Sequence, residues 1–386
     1  MNVGILIPGF SDGERDWCIP VYLNLVRALA QQDSVRVFAM RYPPRRDRYI
    51  VYGAQVISLG GHSRLAGLRR WPLLTRTVQT VIQEHRRQPF DVLHAIWADE
   101  TGFAACVAGR VIGVPVVVSI AGGELVALPG YGLQSGRVSR WLVRQAIRHA
   151  DQVIAPSRFA GQLVPATLRG RDRIAIVPLG VDTTLFKPMQ TSAEAQATHS
   201  FRLLSVGSLI AVKGHELLLK VVARLPGVTL DIVGYGPLLP TLQAQAKTLG
   251  IADRVTFRGE VRHDLLPALY QEANLLILTS QHEAYGMVIV EAAACGLPTI
   301  GSASGVLPEF AQQDAGIALP VGDLAALYEA IRDLIHDPIR LSMMRKKAHE
   351  LVINCYTIAK MAAGIRNVYT SIAQLMPEPD NQATSA

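Results

Sequence analysis

An alternation of short apolar runs with longer amphipathic segments constrains the fold of this chain more than any other feature. In the first half, stretches with helical spacing, such as residues 21–32 and 102–112, separate the runs VGILIP, VRVFAM, DVLHAI, PVVVSI and QVIAPS. Apolar runs of this length are typical of strands buried on both faces, and parallel strands require helical crossovers between them. The pattern predicts a parallel α/β sheet.

The same alternation restarts after residue 200, with RLLSVGS, TLDIVGYG, VTFRGE, NLLILTS and LPTIGSA. Residues 188–200 are small and polar and show no apolar period, which predicts an interdomain linker. We therefore predict an α/β fold of two Rossmann-like domains, residues 1–188 and 200–350, with a ligand cleft between them at the carboxyl ends of the strands. Residues 341–373 have the spacing of one or two helices, and residues 376–386 are predicted to be a disordered tail.

Cysteine usage and the apolar runs bear on the location of the protein. The four cysteines are far apart and form no CxxC pair, so neither a zinc site nor a disulfide framework is predicted. The opening MNVGILIPGF has no basic lead and is predicted to be a first strand rather than a signal peptide. No apolar run reaches membrane-spanning length. These features predict a cytoplasmic protein.

Charge is distributed unevenly between the two halves. Residues 1–190 hold 23 Lys and Arg against 13 Asp and Glu, and nearly all of the cations are arginines. Such a surface suits phosphates or an anionic membrane, and an Arg-rich solvated surface is the alternative. Residues 64–76 (RLAGLRRWPLLTR) match a contact with the inner face of the cell membrane, or a loop and helix packed on the domain. No nucleic-acid-binding motif is present, so nucleic acid is not predicted as a partner.

The stretch SQHEAYGMVIVEAAACGLPTIGS, residues 280–302, combines an anion site with two carboxylates. Gly286 opens a predicted helix, where the backbone N–H groups of Tyr285, Gly286 and Met287 and the helix dipole favour an anion. Glu283 and Glu291 flank that point and can accept hydrogen bonds from paired hydroxyls. A nucleoside diphosphate sugar, with a diphosphate between ribose and sugar, has the matching shape.

Two other interpretations of these glutamates remain open at this point. Taken singly, Glu291 matches a solvent-facing helix residue and Glu283 a carboxylate that stabilises a helix start. A glycosidase acid and nucleophile pair is the second alternative, although two such roles on one short loop and helix fit that chemistry poorly.

The spacing of Glu283 and Glu291 resembles the E-x7-E signature of retaining GT-B glycosyltransferases, in particular glycosyltransferase family 4. Further segments agree in order, namely IVPLGVDTTLFKP, SVGSLIAVKGHELLL, LDIVGYGP, RVTFRGEV and GVLPEF. The resemblance spans roughly residues 1–370. It implies a GT-B fold in which the last helix, about residues 355–375, packs back on the first domain.

The resemblance also implies roles for individual residues. Glu291 would hold the donor ribose, Glu283 the hydroxyls of the donor sugar, and Lys213 the leaving diphosphate. The remaining donor-side residues are the 285–287 amides together with Gly207, Ser208, Gly234 and Gly236. The implied reaction moves a sugar from a UDP-, GDP- or ADP-linked donor to a hydroxyl of a glycan or lipid-linked acceptor, with retention. No metal cofactor is expected, because the Asp-x-Asp of metal-dependent GT-A enzymes does not occur.

The sequence departs from the family at three places, one of which is the N-terminal glycine pair of many members, which does not appear after PGFSDGERDW. Ser208 stands where many members have an arginine of the phosphate clamp, and Ala121 stands where the His-Gly-x-Asp motif has histidine. A catalytically silent subunit that binds a nucleotide sugar or glycan for a partner is therefore the alternative function. The persistence of Glu283, Gly286, Glu291 and Lys213 together favours an active enzyme.

Acceptor-side residues are predicted at the strand ends of the first domain, in the loops 12–17, 97–100 and 122–124. His94, within a predicted strand, is interpreted as structural rather than catalytic. The predicted acceptor-side residues are Gly9, Asp12, Asp99, Glu100, Gly122 and Glu124.

Overall fold

The computed structural model describes residues 1–14, 16, 18–61, 70–128, 131–132, 136–168, 174–189 and 200–374. Most of the predicted linker, residues 190–199, lies outside the described residues, as does the predicted tail, residues 376–386. Trp17 of the loop 12–17 also lies outside them, and the basic segment 64–76 is described only from residue 70 onward.

The first half of the chain forms one large sheet with helices on both faces. Its strands are β1 (Asn2–Gly9), β2 (Ser34–Tyr42), β3 (Arg46–Val51), β4 (Ala54–Leu59), β5 (Val92–Ile96), β6 (Val116–Ser119), β7 (Ala127–Leu128), β8 (Tyr131–Gly132), β9 (Gln152–Ala155) and β10 (Ile174–Ile176). Its helices are α1 (Pro20–Leu29), α2 (Trp71–Arg87), α3 (Glu100–Ile112), α4 (Arg137–His149) and α5 (Arg158–Leu163). The sheet order is β10-β9-β6-β5-β1-β2-β4-β3, and β7 pairs with β8 apart from it.

One strand of this sheet departs from the predicted parallel arrangement. β3 pairs antiparallel with β4, whereas the other neighbouring strands are parallel. The connection is the two-residue turn Tyr52–Gly53, with φ of 48° and 82°. Positive φ at both positions is typical of a tight hairpin turn, and a connection this short cannot join parallel strands. The turn therefore fixes the direction of β3.

The second half forms a wholly parallel sheet. Its strands are β11 (Phe201–Val206), β12 (Val228–Val233), β13 (Val255–Gly259), β14 (Leu275–Leu278), β15 (Thr299–Ser302) and β16 (Gly316–Leu319), in the order β13-β12-β11-β14-β15-β16. Its helices are α6 (His215–Ala223), α7 (Leu239–Thr248), α8 (Leu266–Glu272), α9 (Met287–Ala294), α10 (Leu307–Ala311), α11 (Leu324–His336), α12 (Pro338–Cys355) and α13 (Ile358–Gln374). The predicted α/β class with two Rossmann-like sheets is confirmed.

Local sequence signals account for several helix ends. The side chains of Asp99, Asp323 and Asp337 accept a backbone N–H in the first turns of α3, α11 and α12. Gly113 ends α3 in the left-handed conformation that glycine adopts without strain. Among the described helices, none combines the length and apolar character required to cross a bilayer.

The last helix of the chain lies on the first sheet. On one face of that sheet, α2, α3 and α4 cover a core that contains Leu93 and Val118. On the other face, α1 packs beside α13, and Met361, Ile365 and Tyr369 of α13 are buried in that core. The second domain is thereby joined to the first by α13 as well as by the chain that connects the two sheets.

His94 links the first sheet to α13. It lies in β5, is fully buried, and has Nδ1 2.6 Å from the Tyr369 hydroxyl and Nε2 2.7 Å from Ser119 Oγ. Two hydroxyl partners satisfy a neutral imidazole, which donates from one nitrogen and accepts at the other. Burial lowers the pKa of His94 to about 3. These contacts give His94 a structural role.

We expect His94 to make the fold sensitive to acid. Its pKa in the unfolded chain is about 6.5, so between that pH and about 3 the unfolded state binds a proton that the folded state does not. The free energy of unfolding should therefore fall as pH falls through this window, by up to about 1.4 kcal/mol per pH unit from this group. Urea unfolding at pH 7 and pH 5 should show a shallower dependence for His94→Gln than for the parent, and equal dependences would contradict the assignment.

Candidate active site

The second sheet has its topological switch point between β11 and β14. The chain runs outward from β11 through β12 to β13, and in the other direction from β14 through β15 to β16. In doubly wound sheets, ligands bind in the crevice beyond the carboxyl ends of the two strands at such a point. The loops that follow these strands contain Gly207 to Lys213 and Thr279 to Gly286, which are the segments predicted to bind the donor.

Lys213 and Glu283 meet at this switch point. Lys213 Nζ donates to Glu283 Oε1 over 2.6 Å, and both side chains are largely buried. Ser280 Oγ donates to the same carboxylate oxygen over 2.6 Å, and the backbone N–H of Glu283 donates to Ser304 Oγ over 3.2 Å. Lys213 and Ser280 thus hold the carboxylate, and Ser304 holds the backbone of the same residue.

Helix α9 begins next to this ion pair. Gly286 precedes the helix with φ of 90°, a conformation that favours glycine. The Tyr285 side chain is buried, and its hydroxyl donates to the carbonyl oxygen of Leu179 over 3.1 Å, so only its backbone faces a ligand in this loop. Gly305, after β15, lies against the Tyr285 carbonyl so closely that a side chain there would overlap it. In the first turn of α9, the Ile289 N–H donates to the Gly286 carbonyl oxygen over 2.9 Å, whereas the N–H groups of Met287 and Val288 come too early in the helix to have an intrahelical acceptor.

Glu291 lies in α9 and is oriented by two side chains that the sequence did not indicate. Its Oε1 lies 3.0 Å from His263 Nε2, and its Oε2 accepts a hydrogen bond from the Tyr270 hydroxyl over 3.0 Å. Glu291 is 5% exposed and Tyr270 is fully buried. Burial raises the pKa of Tyr270 well above its usual value, and the neighbouring Glu291 carboxylate adds to this, so Tyr270 remains a hydrogen-bond donor.

Glycines let the neighbouring loops of this site approach one another. Gly234 has φ of 139°, and a Cβ atom there would overlap the carbonyl oxygen of Gly207. Gly236 lies equally close to the backbone of Leu209. Ser208, which lies between Gly207 and Leu209 in the chain, is exposed, and its carbonyl oxygen lies 3.4 Å from His215 Nε2. Burial lowers the pKa of His215 to about 4, so this imidazole is neutral at pH 7 and supplies no second cation.

The first sheet has its own switch point, between β5 and β1, and the predicted acceptor-side residues surround it. Gly9 ends β1, and Asp12 in the following loop is paired with the Arg45 guanidinium. Asp99 accepts from the Thr101 N–H over 3.1 Å and caps α3, and burial raises its pKa. Trp97 at the end of β5 has φ of 73°, a strained value for a large side chain.

Glu100 differs from its neighbours in having both carboxylate oxygens engaged by arginines. Its Oε2 is 2.5 Å from Arg41 Nη2 and its Oε1 is 3.3 Å from Arg70 Nη1. The side chain is 9% exposed. This arrangement favours a structural role for Glu100 over the predicted contact with an acceptor.

The loop after β6 brings the first domain to the donor side. Gly122 has φ of 94°, and a Cβ atom there would lie 3.2 Å from the carbonyl oxygen of Ala284, next to Glu283. Two residues on, Glu124 Oε1 accepts from the N–H groups of Ala121 (3.0 Å) and Ala98 (3.3 Å). Its Oε2 is buried and has no hydrogen-bond partner among the described residues. Burial raises the pKa of Glu124.

The structure brings part of the predicted site together. Lys213, Glu283 and the start of α9 form one group, and the Gly122 to Glu124 loop touches it from the first domain. Glu291 lies deeper in α9. Within the described residues, no group of three or more His, Cys, Asp or Glu side chains is arranged to hold a metal ion.

Family models match both halves of the chain. Residues 189–351 match a model described as glycosyl transferases group 1, and residues 19–180 match one described as a glycosyl transferase 4-like domain. The D-inositol 3-phosphate glycosyltransferase 1 of Catenulispora acidiphila is 32% identical over 282 residues, which cover 67% of each chain. A GDP-mannose-dependent alpha-(1-6)-phosphatidylinositol monomannoside mannosyltransferase of Mycolicibacterium smegmatis is 30% identical over 54% of this chain and 59% of its own length. The chain spans about half to three fifths of several such relatives.

Solved structures share the fold over nearly the whole chain. Sucrose-phosphate synthase from Thermosynechococcus elongatus superposes with a TM-score of 0.80 at 22% identity, covering 97% of this chain and 100% of that one. Anabaena HepE in complex with UDP-glucose gives a TM-score of 0.70 at 20% identity, over 95% and 99% of the two chains. These likenesses confirm the predicted GT-B fold.

Proposed function

Because this chain belongs to the glycosyl transferases group 1 family, we propose that it transfers a sugar, with retention, from a nucleoside diphosphate sugar to a hydroxyl of a glycan or lipid-linked acceptor. The observation that carries the proposal is the meeting of Lys213, Glu283 and the start of α9 at the switch point of the second sheet. A cation, a carboxylate and unpaired N–H groups in one crevice match a diphosphate bonded to a polyol.

The diphosphate would take Lys213 away from Glu283. The two side chains neutralise each other over 2.6 Å. When the donor binds, the phosphates offer Lys213 a more highly charged partner, and the sugar hydroxyls can donate to the Glu283 oxygens. Ser280 stays on Oε1 and keeps the carboxylate in place. Donor binding thus exchanges one ion pair for a contact between ammonium and phosphate and for hydrogen bonds from neutral hydroxyls to the carboxylate.

Glu291 would accept hydrogen bonds from the donor ribose. Each carboxylate oxygen has two lone pairs, and His263 and Tyr270 occupy one on each oxygen. The remaining lone pairs can receive the two ribose hydroxyls. His263 and Tyr270 would act as positioning residues, since they fix the plane of the carboxylate before the nucleotide arrives.

Stabilisation of the departing diphosphate would supply most of the catalysis. Cleavage of the bond from sugar to phosphate builds negative charge on the leaving group, beside the Lys213 ammonium and the N–H groups at the start of α9. In metal-dependent glycosyltransferases a divalent ion has this role, and here Lys213 is proposed to fill it. The leaving phosphate would accept the acceptor proton on the same face of the sugar, which accounts for retention.

The acceptor would enter from the first domain. The contact of Gly122 with Ala284 brings the loop after β6 within one residue of Glu283. Glu124 in that loop has a buried oxygen that could accept from a hydroxyl of the acceptor. Trp97, half-exposed and strained at the neighbouring strand end, could pack against a sugar ring. Relatives that act on phosphatidylinositol mannosides and inositol 3-phosphate support a polyol acceptor.

We expect the donor to be identified by a thermal-shift screen of UDP, GDP, ADP and their sugar conjugates in EDTA. A ligand present at about 100 times its Kd stabilises the native state by about 2.7 kcal/mol, which raises the melting temperature by several degrees. The donor that binds should then be hydrolysed slowly or transferred in EDTA, with the anomeric configuration retained in the product by NMR. Binding without turnover would indicate a silent subunit, and no binding of any nucleotide would contradict the proposal.

Lys213→Ala should lower kcat by about 10²- to 10³-fold, because a positioned group that stabilises leaving-group charge contributes about 3–4 kcal/mol to the transition state. The matched control is Lys220→Ala, which removes an exposed cation from α6 and should leave kcat unchanged. Melting temperatures of both variants separate loss of catalysis from loss of folding, since Lys213→Ala leaves Glu283 without its cation. An unchanged kcat for Lys213→Ala would remove Lys213 from the mechanism.

Ser208→Arg should tighten diphosphate binding. Ser208 is exposed in the loop that holds Lys213, and His215 beside it is neutral at pH 7, so no second cation adjoins the diphosphate from these positions. A charge-assisted hydrogen bond contributes about 1.5–3 kcal/mol, or about 10- to 100-fold in the Kd of the nucleoside diphosphate, measured by calorimetry. Ser208→Gln is the control of similar length without charge. Equal affinities for the two variants would place the diphosphate away from Ser208.

A further inference from the structure

The outer side of α3 and α4 exposes apolar residues in an uncommon number. Trp141 is 45% exposed, Val111 64%, Val107 36% and Val138 37%. A groove of about 640 Å³ runs between the two helices and is lined by Phe103, Val107 and Trp141, among others. We call this surface the α3–α4 face. Exposed apolar side chains beside a groove of this size are a candidate interaction site.

Arginines border the α3–α4 face. Arg137, Trp141, Arg144 and Arg148 follow one another at helical spacings of four, three and four residues, so they form a single stripe along α4. Arg140 lies beside the stripe, and the α4 sequence RVSRWLVRQAIRH contains no acidic residue. Arg110 of α3 lines the groove from the other side. The face therefore has a groove that is mainly apolar, with Gln145, His149 and Asp151 at its far end, and arginines along its edge.

Aromatic contacts extend the face to the start of α2. The Trp141 and Phe103 rings are 5.4 Å apart, and the Phe103 and Trp71 rings are 6.2 Å apart. Trp71 is 37% exposed, whereas Leu73 and Leu74 after it are buried. The described part of the basic segment 64–76 thus packs on the domain and contributes only Trp71 to this surface.

We propose that the α3–α4 face lies on the surface of an anionic lipid bilayer. Tryptophan places an apolar ring at the level of the lipid head groups, and arginine side chains keep their apolar stems on the membrane while the guanidinium groups reach the phosphates. An acidic protein surface would match the arginines but not the exposed valines between α3 and α4. A row of phosphates above acyl chains matches both the charge and the apolar groove.

The position of α3 relates this face to the acceptor. α3 begins at Glu100, at the carboxyl end of β5, and Phe103 of the face lies one turn further along the same helix. The Phe103 end of the face is therefore the part nearest the loop after β5, and a lipid-linked acceptor would have to approach Trp97 from that end. This step depends on the proposed function, whereas the contact with lipid does not.

Vesicle sedimentation tests the proposal. The parent should bind phosphatidylcholine vesicles that contain phosphatidylglycerol, and should bind vesicles of phosphatidylcholine alone only weakly. Each cation near such a surface changes affinity by about fivefold, so Arg140→Ala/Arg144→Ala should lower the affinity by about thirtyfold. The charge-matched control is Arg86→Ala/Lys220→Ala, which removes two exposed cations away from the face and should retain the parent affinity. Equal loss in both double variants would overturn the assignment in favour of non-specific charge attraction.

A second variant tests the apolar part of the face. Trp141→Ser should lower affinity for the anionic vesicles severalfold at high as well as low salt, because ring burial is not screened. If the parent does not bind the anionic vesicles, the lipid assignment is wrong. If the α3–α4 variants change only the self-association of the protein in sedimentation velocity, the face is instead an interface between protein molecules. Hydrolysis of the soluble donor should be equal in all these variants, so a failure of the lipid contact remains distinguishable from a failure of the proposed transferase activity.

Discussion

The ion pair between Lys213 and Glu283 is the interaction on which the site depends. Its two members come from loops after β11 and β14, the strands between which the second sheet reverses its order. Because both groups are largely buried, neither can be left alone without a cost of several kcal/mol. A ligand that separates the two side chains must offer an anion to the lysine and hydrogen-bond donors to the glutamate. The ion pair therefore restricts the chemistry of a ligand that binds between Lys213 and Glu283.

Glycines allow the backbones of neighbouring loops to pack closely around this ion pair. Gly234 lies against Gly207, Gly305 against Tyr285, and Gly122 of the first domain against Ala284. At Gly234 and Gly305 a side chain would overlap the neighbouring backbone, and at Gly122 a Cβ atom would lie 3.2 Å from the Ala284 carbonyl oxygen, at a φ of 94° that favours glycine. The third contact is the one that joins the domains at the site, so the separation of donor and acceptor loops is set by backbone rather than by flexible side chains.

The sequence predicted the two sheets, the donor segments and the start of α9 because each depends on local patterns, namely apolar runs, a glycine before a helix and the spacing of two glutamates. It did not indicate Ser280, which lies three residues before Glu283 and has no distinctive spacing, or His263 and Tyr270, which reach the site from another segment. The antiparallel β3 was missed because Tyr52–Gly53 is not one of the usual hairpin dipeptides. Glu100 was grouped with the cleft residues because the arginines that engage it are 59 and 30 positions away in the chain.

The two arginines that engage Glu100 also hold α3, the helix that lies between the cleft and the α3–α4 face. Arg70 at the start of α2 pairs with Glu100 of α3 and donates to Ser139 of α4 over 3.0 Å, and Arg41 from the end of β2 holds the other oxygen of Glu100. The first turn of α3 is thus tied to its neighbours on both sides and to the sheet. The same turn is capped by Asp99 beside the cleft and is followed by Phe103 on the α3–α4 face. The buried network therefore fixes the position of Phe103 relative to the strand end beside Asp99.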